Sequence, residues 1–186
     1  MRSSVLRAFL HALSHAQHPE AGGQIWTPPQ LARVPFVHLA VIINEVFSSG
    51  GQVRLQVEGD SMSPWLQSGE DDVILASPQG RTWGRGDVVL AVNDLNCYVM
   101  HRVFRRERGG TWLLGDAQTD VEGPWREEQV IALVERVVRR GRELDMASAQ
   151  ARLFARVWLV CRPLRPRILG TIRWLRRQRQ RIKGLR

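Results

Sequence analysis

A mainly β domain flanked by helices is what this sequence predicts, on three observations. Between residues 52 and 140 the apolar residues fall in short alternating or continuous runs broken by Gly- and Pro-rich turns, the signature of a compact β domain. On either side of that stretch the apolar spacing is helical. Hydrophobic residues make up 44% of the 186-residue chain, enough to bury a core and to argue against global disorder. The expected architecture is a compact, mainly β domain over 52–140, an N-terminal helical extension and linker over 1–51, and a basic amphipathic helical tail over 141–186.

Each element has its own local reason. Ser4–His15 carries Val5, Leu6, Phe9, Leu10 and Leu13 at the spacing of a short amphipathic helix, and a Pro/Gly linker runs from about His18 to Pro35. Phe36–Phe47 has helical spacing and is stopped by Ser48-Ser49-Gly50-Gly51. Val53–Val57 alternates with period two, as a half-buried strand requires. Asp72–Ala76 and Asp87–Val92 are further strands, Tyr98–Phe104 and Thr111–Leu114 form a hairpin across Gly109-Gly110, and Val130–Val138 is the last strand. Beyond Asp145 the helical pattern returns. Leu153, Val157, Val160 and Cys161 share one face, and Ile168, Ile172, Trp174 and Leu175 come next with arginines between them.

Charge is unevenly spread. The net charge is +9, yet residues 152–186 carry twelve Arg or Lys and no acid, leaving 15 basic and 18 acidic side chains in the rest. A mildly acidic globule thus bears a strongly basic tail. Such a tail seeks phosphate, in lipid headgroups or nucleic acid, with a solvated extension, or a helix packed on the β domain with its arginines in solvent, as the plain alternatives. Cys97 and Cys161 stand far apart without a CxxC spacing, so neither a zinc site nor a disulfide framework is expected. No run is long and apolar enough to span a bilayer, and Val5–Leu13 is interrupted by Arg7 and His11, unlike a secretory signal. A cytoplasmic protein, or one peripheral to the inner membrane face, is the expectation.

The candidate chemistry begins at Val57-Glu58-Gly59-Asp60-Ser61-Met62-Ser63-Pro64. A strand ends, a glycine relaxes the backbone, and a serine precedes a proline-restricted turn. That layout presents a hydroxyl at the lip of a sheet, although a lone serine in a turn is usually only a turn residue. Further motifs downstream add weight: Gly69 with Glu70-Asp71-Asp72, Gly86-Asp87, Tyr98-Val99-Met100-His101-Arg102-Val103, and Gly115-Asp116-Ala117-Gln118-Thr119-Asp120. His11, His15, His18 and His38 have no comparable context and read as surface or packing residues.

This ordered series resembles the sequence boxes of type I signal peptidases and of the self-cleaving LexA-type repressors, over roughly residues 53–138. The resemblance implies a serine endopeptidase with Ser61 as nucleophile. Relatives with a serine–lysine pair place lysine just before the arginine of the fourth box, where this chain has His101, and its only lysine is Lys183. The pattern is therefore similar to the archaeal and endoplasmic-reticulum signal peptidases, which pair serine with histidine, and to small anchorless bacterial relatives. Imidazole, with an ordinary pKa of about 6.5, suits the role of general base. The resemblance makes both Asp116 and Asp120 functional, one of them orienting the His101 ring, with Asp116 preferred. Backbone N–H groups near Ser61 are expected to form the oxyanion hole, with Gly59 where many relatives carry a serine, and Met62 and Pro64 are expected to shape the substrate floor and turn.

The expected partner is an extended peptide or protein substrate, with an anionic membrane surface for the tail, nucleic acid disfavoured, and neither metal nor cofactor. Two other readings stay open: a LexA-like regulator that cleaves itself, against which stands the lack of a DNA-binding module ahead of Ala21-Gly22, and a catalytically silent peptide-binding module.

Overall fold

In the computed structural model the described residues are 25–26 and 36–183. The expected helix Ser4–His15, the linker and Ala21-Gly22 lie outside them. Among the described residues nine strands form one sheet: β1 (Ile25–Trp26), β2 (Gln52–Gln56), β3 (Asp71–Ala76), β4 (Val88–Val92), β5 (Tyr98–Glu107), β6 (Gly110–Leu114), β7 (Glu122–Trp125), β8 (Val130–Arg139) and β9 (Arg142–Asp145). Three helices flank it: α1 (Phe36–Ser48), α2 (Ala149–Val160) and α3 (Arg165–Lys183). The mainly β domain with flanking helices is thus as expected. Strands β1, β7 and β9 are additional to the six read from the sequence.

The strand order is β1-β2-β3-β8-β4-β5-β6-β7, with β9 paired to β8. Every pairing is antiparallel except the short β1–β2 contact. Register shifts interrupt β3–β8, β4–β8, β5–β6 and β6–β7, and such bulges bend a sheet and increase its twist. The two faces bury different clusters. Leu39, Ile42, Ile43 and Val46 of α1 cover one face, packing with Val53, Val73, Leu75, Leu90 and Val137. Val89, Ala91, Val103, Leu113 and Leu133 fill the other. Strand β4 shows the cause plainly: Val88 and Leu90 enter the first cluster and Val89 and Ala91 the second, as the period-two alternation of a strand buried on both sides demands.

The helix α2 starts at Ser148, whose hydroxyl accepts the Ala151 N–H at 3.3 Å, an N-cap bond. It buries Ala151, Ala155, Trp158 and Leu159 against the domain. Phe154 stacks on Trp65 at 4.4 Å and on Trp158 at 5.5 Å between ring centroids, tying the helix to the turn beyond Ser61. The first part of the basic tail is therefore packed on the β domain.

Candidate active site

Ser61 lies in the turn that leaves β2. Gly59 holds φ at +84°, a left-handed conformation that side-chain-bearing residues adopt at a cost. Its N–H donates to Ser68 Oγ at 3.1 Å, so its contribution is backbone shape. Met62, expected to shape a substrate floor, is instead buried at 2% exposure in the first core cluster with Leu66. Its thioether anchors the turn from beneath, because a flexible apolar chain next to a core gains more by burial than by lining an open cleft. Pro64 is half-buried in the same turn. Among the described residues no acceptor takes the N–H of Ser61 or of Met62.

The Ser61 turn is fastened to the turn after β6. The Ala117 N–H donates to the Ser61 carbonyl at 2.8 Å. A Cβ added to Gly115 would stand 2.8 Å from that same carbonyl oxygen and 2.5 Å from Gln118 Oε1, so position 115 has no room for a side chain. In β5–β6, Arg102 pairs with Leu114. Continuing that register by one residue sets Gly115 opposite His101, and directly opposed residues point to one face with Cβ positions about 4.5–5.5 Å apart. The Ser61 carbonyl thus occupies the space that a side chain at 115 would have filled.

His101 is 3% exposed and shares its face of β5 with Val103. Its Nδ1 lies 3.5 Å from Glu122 Oε2, an ion-pair distance longer than a formed hydrogen bond. This nitrogen is sealed from solvent and without a hydrogen-bond partner. Burial lowers the imidazole pKa below its ordinary 6.5, an effect partly opposed by the negative charges of Glu122 and Asp116. The shift favours the neutral ring, the form that accepts a proton. No hydrogen bond joins it to Ser61 Oγ. Catalytic hydrogen bonds commonly tighten only when substrate binds.

Neither aspartate expected to orient His101 does so directly. Asp116 is wholly buried and paired with Arg102, itself wholly buried, through Nε–Oδ1 at 2.9 Å and Nη2–Oδ2 at 2.6 Å. Strand parity explains the correction. Asp116 sits in the turn just past β6, where its carboxylate is taken by Arg102, and Arg102 and His101, adjacent on β5, point to opposite faces. Asp120 is exposed and makes no hydrogen bond or ion pair among the described residues. The acid that reaches the imidazole is Glu122, which β7 pairs with Leu113, which β6 in turn pairs with Val103. Val103, Leu113 and Glu122 line the face that carries His101. The run Val121-Glu122-Gly123-Pro124 reads as a turn in the sequence, and a proline masks the short strand there.

The tail helices brace this site from behind. Trp158 Nε1 donates to the Asp116 carbonyl at 2.9 Å, and the buried Arg165 donates through Nη1 to the carbonyls of Gly115 at 2.8 Å and Gln118 at 2.9 Å. Arg162 Nε reaches the Thr119 carbonyl at 2.7 Å. Burial among Arg102 and Arg162 lowers the Arg165 pKa, with desolvation the largest cause, and the carbonyls supply what solvent would. Among the described residues no group of three His, Cys, Asp or Glu side chains converges as a metal site would require.

Comparison with protein-family models, with curated proteins and with solved structures returns no match to this chain.

Proposed function

We propose that the chain is a serine endopeptidase of the signal-peptidase and LexA-like kind, on that clan's coiled β fold, in which Ser61, His101 and Glu122 act together. Ser61 Oγ attacks the carbonyl carbon of an extended peptide while His101 accepts the hydroxyl proton and then delivers it to the leaving amine. Nδ1 faces Glu122, so Nε2 is the nitrogen that exchanges the proton with serine. Glu122 stabilises the imidazolium formed in that step. The unclaimed N–H groups of Ser61 and Met62 are the donors for the oxyanion. Hydrolysis of the acyl-enzyme by water, with His101 again as base, restores the serine.

The observation that carries this reading is the contact of the Ser61 backbone with Gly115, the residue that the extended β5–β6 register sets opposite His101, together with the approach of Glu122 to that buried imidazole. The sheet supports it further: the β5–β6–β7 register carries Glu122 to the face of His101, and the Ser61 backbone packs on Gly115 at the end of β6. The silent-module reading leaves the buried, unpartnered imidazole nitrogen without a purpose, and such groups are costly to keep.

The test is digestion of a library of unstructured peptides read by mass spectrometry, with the intact mass of the chain tracked in the same samples to register self-cleavage. The wild-type chain cleaves a subset with a shared local sequence. Ser61→Ala and His101→Ala abolish that cleavage while retaining the wild-type circular dichroism spectrum. A wild type without cleavage, or cleavage surviving in either variant, overturns the proposal.

A further inference from the structure

The outer surface of the tail combines two features that ordinarily exclude each other on a soluble helix. Nine large hydrophobic side chains are conspicuously exposed among the described residues, and six of them, Leu153, Val157, Val160, Leu164, Trp174 and Leu175, lie in this one segment. The same segment holds the entire basic excess of the chain, with twelve Arg or Lys and no acid in residues 152–186.

Around α2 the side chains sort by angle, at about 100° per residue. Ala151, Ala155, Trp158 and Leu159 face the sheet, and Leu153, Val157 and Val160 stand on the opposite side, 63%, 52% and 74% exposed. Arg152 and Arg156 run between the two along one flank. Their guanidinium groups make no ion pair or hydrogen bond among the described residues, and with Arg85 they line a cavity of about 460 Å3. Asp87 also lines it and accepts the Gly84 N–H at 2.8 Å, and Arg85 Nη1 donates to the Phe104 carbonyl at 2.7 Å, so Arg85, Arg152 and Arg156 face one carboxylate there. The cavity is a cationic niche directly beside an apolar row.

We propose that this face docks on an anionic phospholipid bilayer, with Arg152, Arg156 and Arg85 receiving headgroup phosphates and the Leu153–Val157–Val160 row entering the acyl boundary. The pairing of features selects the occupant. Nucleic acid would satisfy the arginines but leave the apolar row in water. A second copy of the chain would cover the row only by bringing two arginine fields together. A bilayer interface satisfies both at once, and the exposed Trp174 is of the type that settles at that depth. No described helix is long and apolar enough to cross, so the contact is peripheral. Because α2 also contributes Trp158 to the Asp116 carbonyl, the docked face and the Ser61 site share one rigid support.

Sedimentation of the full chain with vesicles, which requires no cleavage, separates this from the peptidase proposal. The chain is expected to bind vesicles of equimolar phosphatidylcholine and phosphatidylglycerol and to leave pure phosphatidylcholine vesicles free. Arg152→Gln with Arg156→Gln should weaken binding by about tenfold, and the exposed set Leu153→Ser, Val157→Ser and Val160→Ser by about tenfold or more, both retaining the wild-type melting temperature. Equal binding to the two vesicle types, or none to either, overturns the proposal. So does a serine triple variant that binds like wild type, a dimer in solution that this variant abolishes, or complete displacement of the chain from vesicles by excess duplex DNA.

Discussion

Glu122→Gln is the substitution that most directly probes the assembled site, because amide and carboxylate differ by little except charge. The carboxylate stands 3.5 Å from His101 Nδ1 and its side chain is 39% exposed. At that distance two unit charges interact by about 1 kcal/mol in water and about 5 kcal/mol at the effective dielectric of a protein surface. Exposure and salt screening hold the value near the lower end, about 1–2 kcal/mol. Since Glu122 raises an imidazole pKa that burial has already lowered, its loss lowers that pKa further. One pKa step corresponds to about 1.4 kcal/mol, so the acid limb of kcat/KM should move toward lower pH by about one unit. The maximal rate should fall as well, by roughly tenfold, because the imidazolium of the transition state loses the same stabilisation. The assay is the pH profile of kcat/KM on a peptide found by library digestion, from about pH 4 to 9. An acid limb that stays in place, or moves toward higher pH, would refute the assignment of Glu122 as the acid that steadies His101.

Three further outcomes rest on the same geometry. Gly115→Ala drives a methyl group to within 2.8 Å of the Ser61 carbonyl, and should cost about 1–3 kcal/mol of stability and about 100-fold in kcat, read by thermal melting and steady-state kinetics. Asp116→Ala leaves Arg102 buried without its carboxylate and should destabilise by about 3–5 kcal/mol in urea titration, whereas a loss of activity at unchanged stability would restore Asp116 to a direct role. Stability depends on pH through His101: its folded pKa lies below the unfolded 6.5, so the unfolded chain binds the proton first and stability falls as pH drops from about 6.5 through the folded value. His101→Gln should flatten that part of the urea-midpoint profile, and an unchanged profile would show that another group is responsible.

Residue order alone was enough to specify α1, the helical tail and six of the nine described strands, but not β1, β7 or β9. Alternation at Val53–Val57, the continuous apolar run of Val88–Val92 and the Gly50-Gly51 stop after α1 are properties of neighbours along the chain, and they fold as those neighbours dictate. So does the separation of a basic tail from a mildly acidic body. Ser61 and His101 stood out as candidates for a similar reason, each carried by a short motif at the end or the middle of a strand.

Which acid meets the imidazole, and where the tail packs, depended on contacts between distant parts of the chain. Asp116 stands closer to His101 in sequence than Glu122, yet it is taken by the buried Arg102, and the β6–β7 register brings Glu122 to the histidine's face. Met62 likewise passed from substrate floor to core. A single helical period in the tail could not reveal that Trp158 and Arg165 would find the carbonyls of the 115–118 turn. A motif read along one strand knows its own alternation but not the register of its partner. A shift of one residue in that register moves every side chain to the opposite face, and with it the identity of the site.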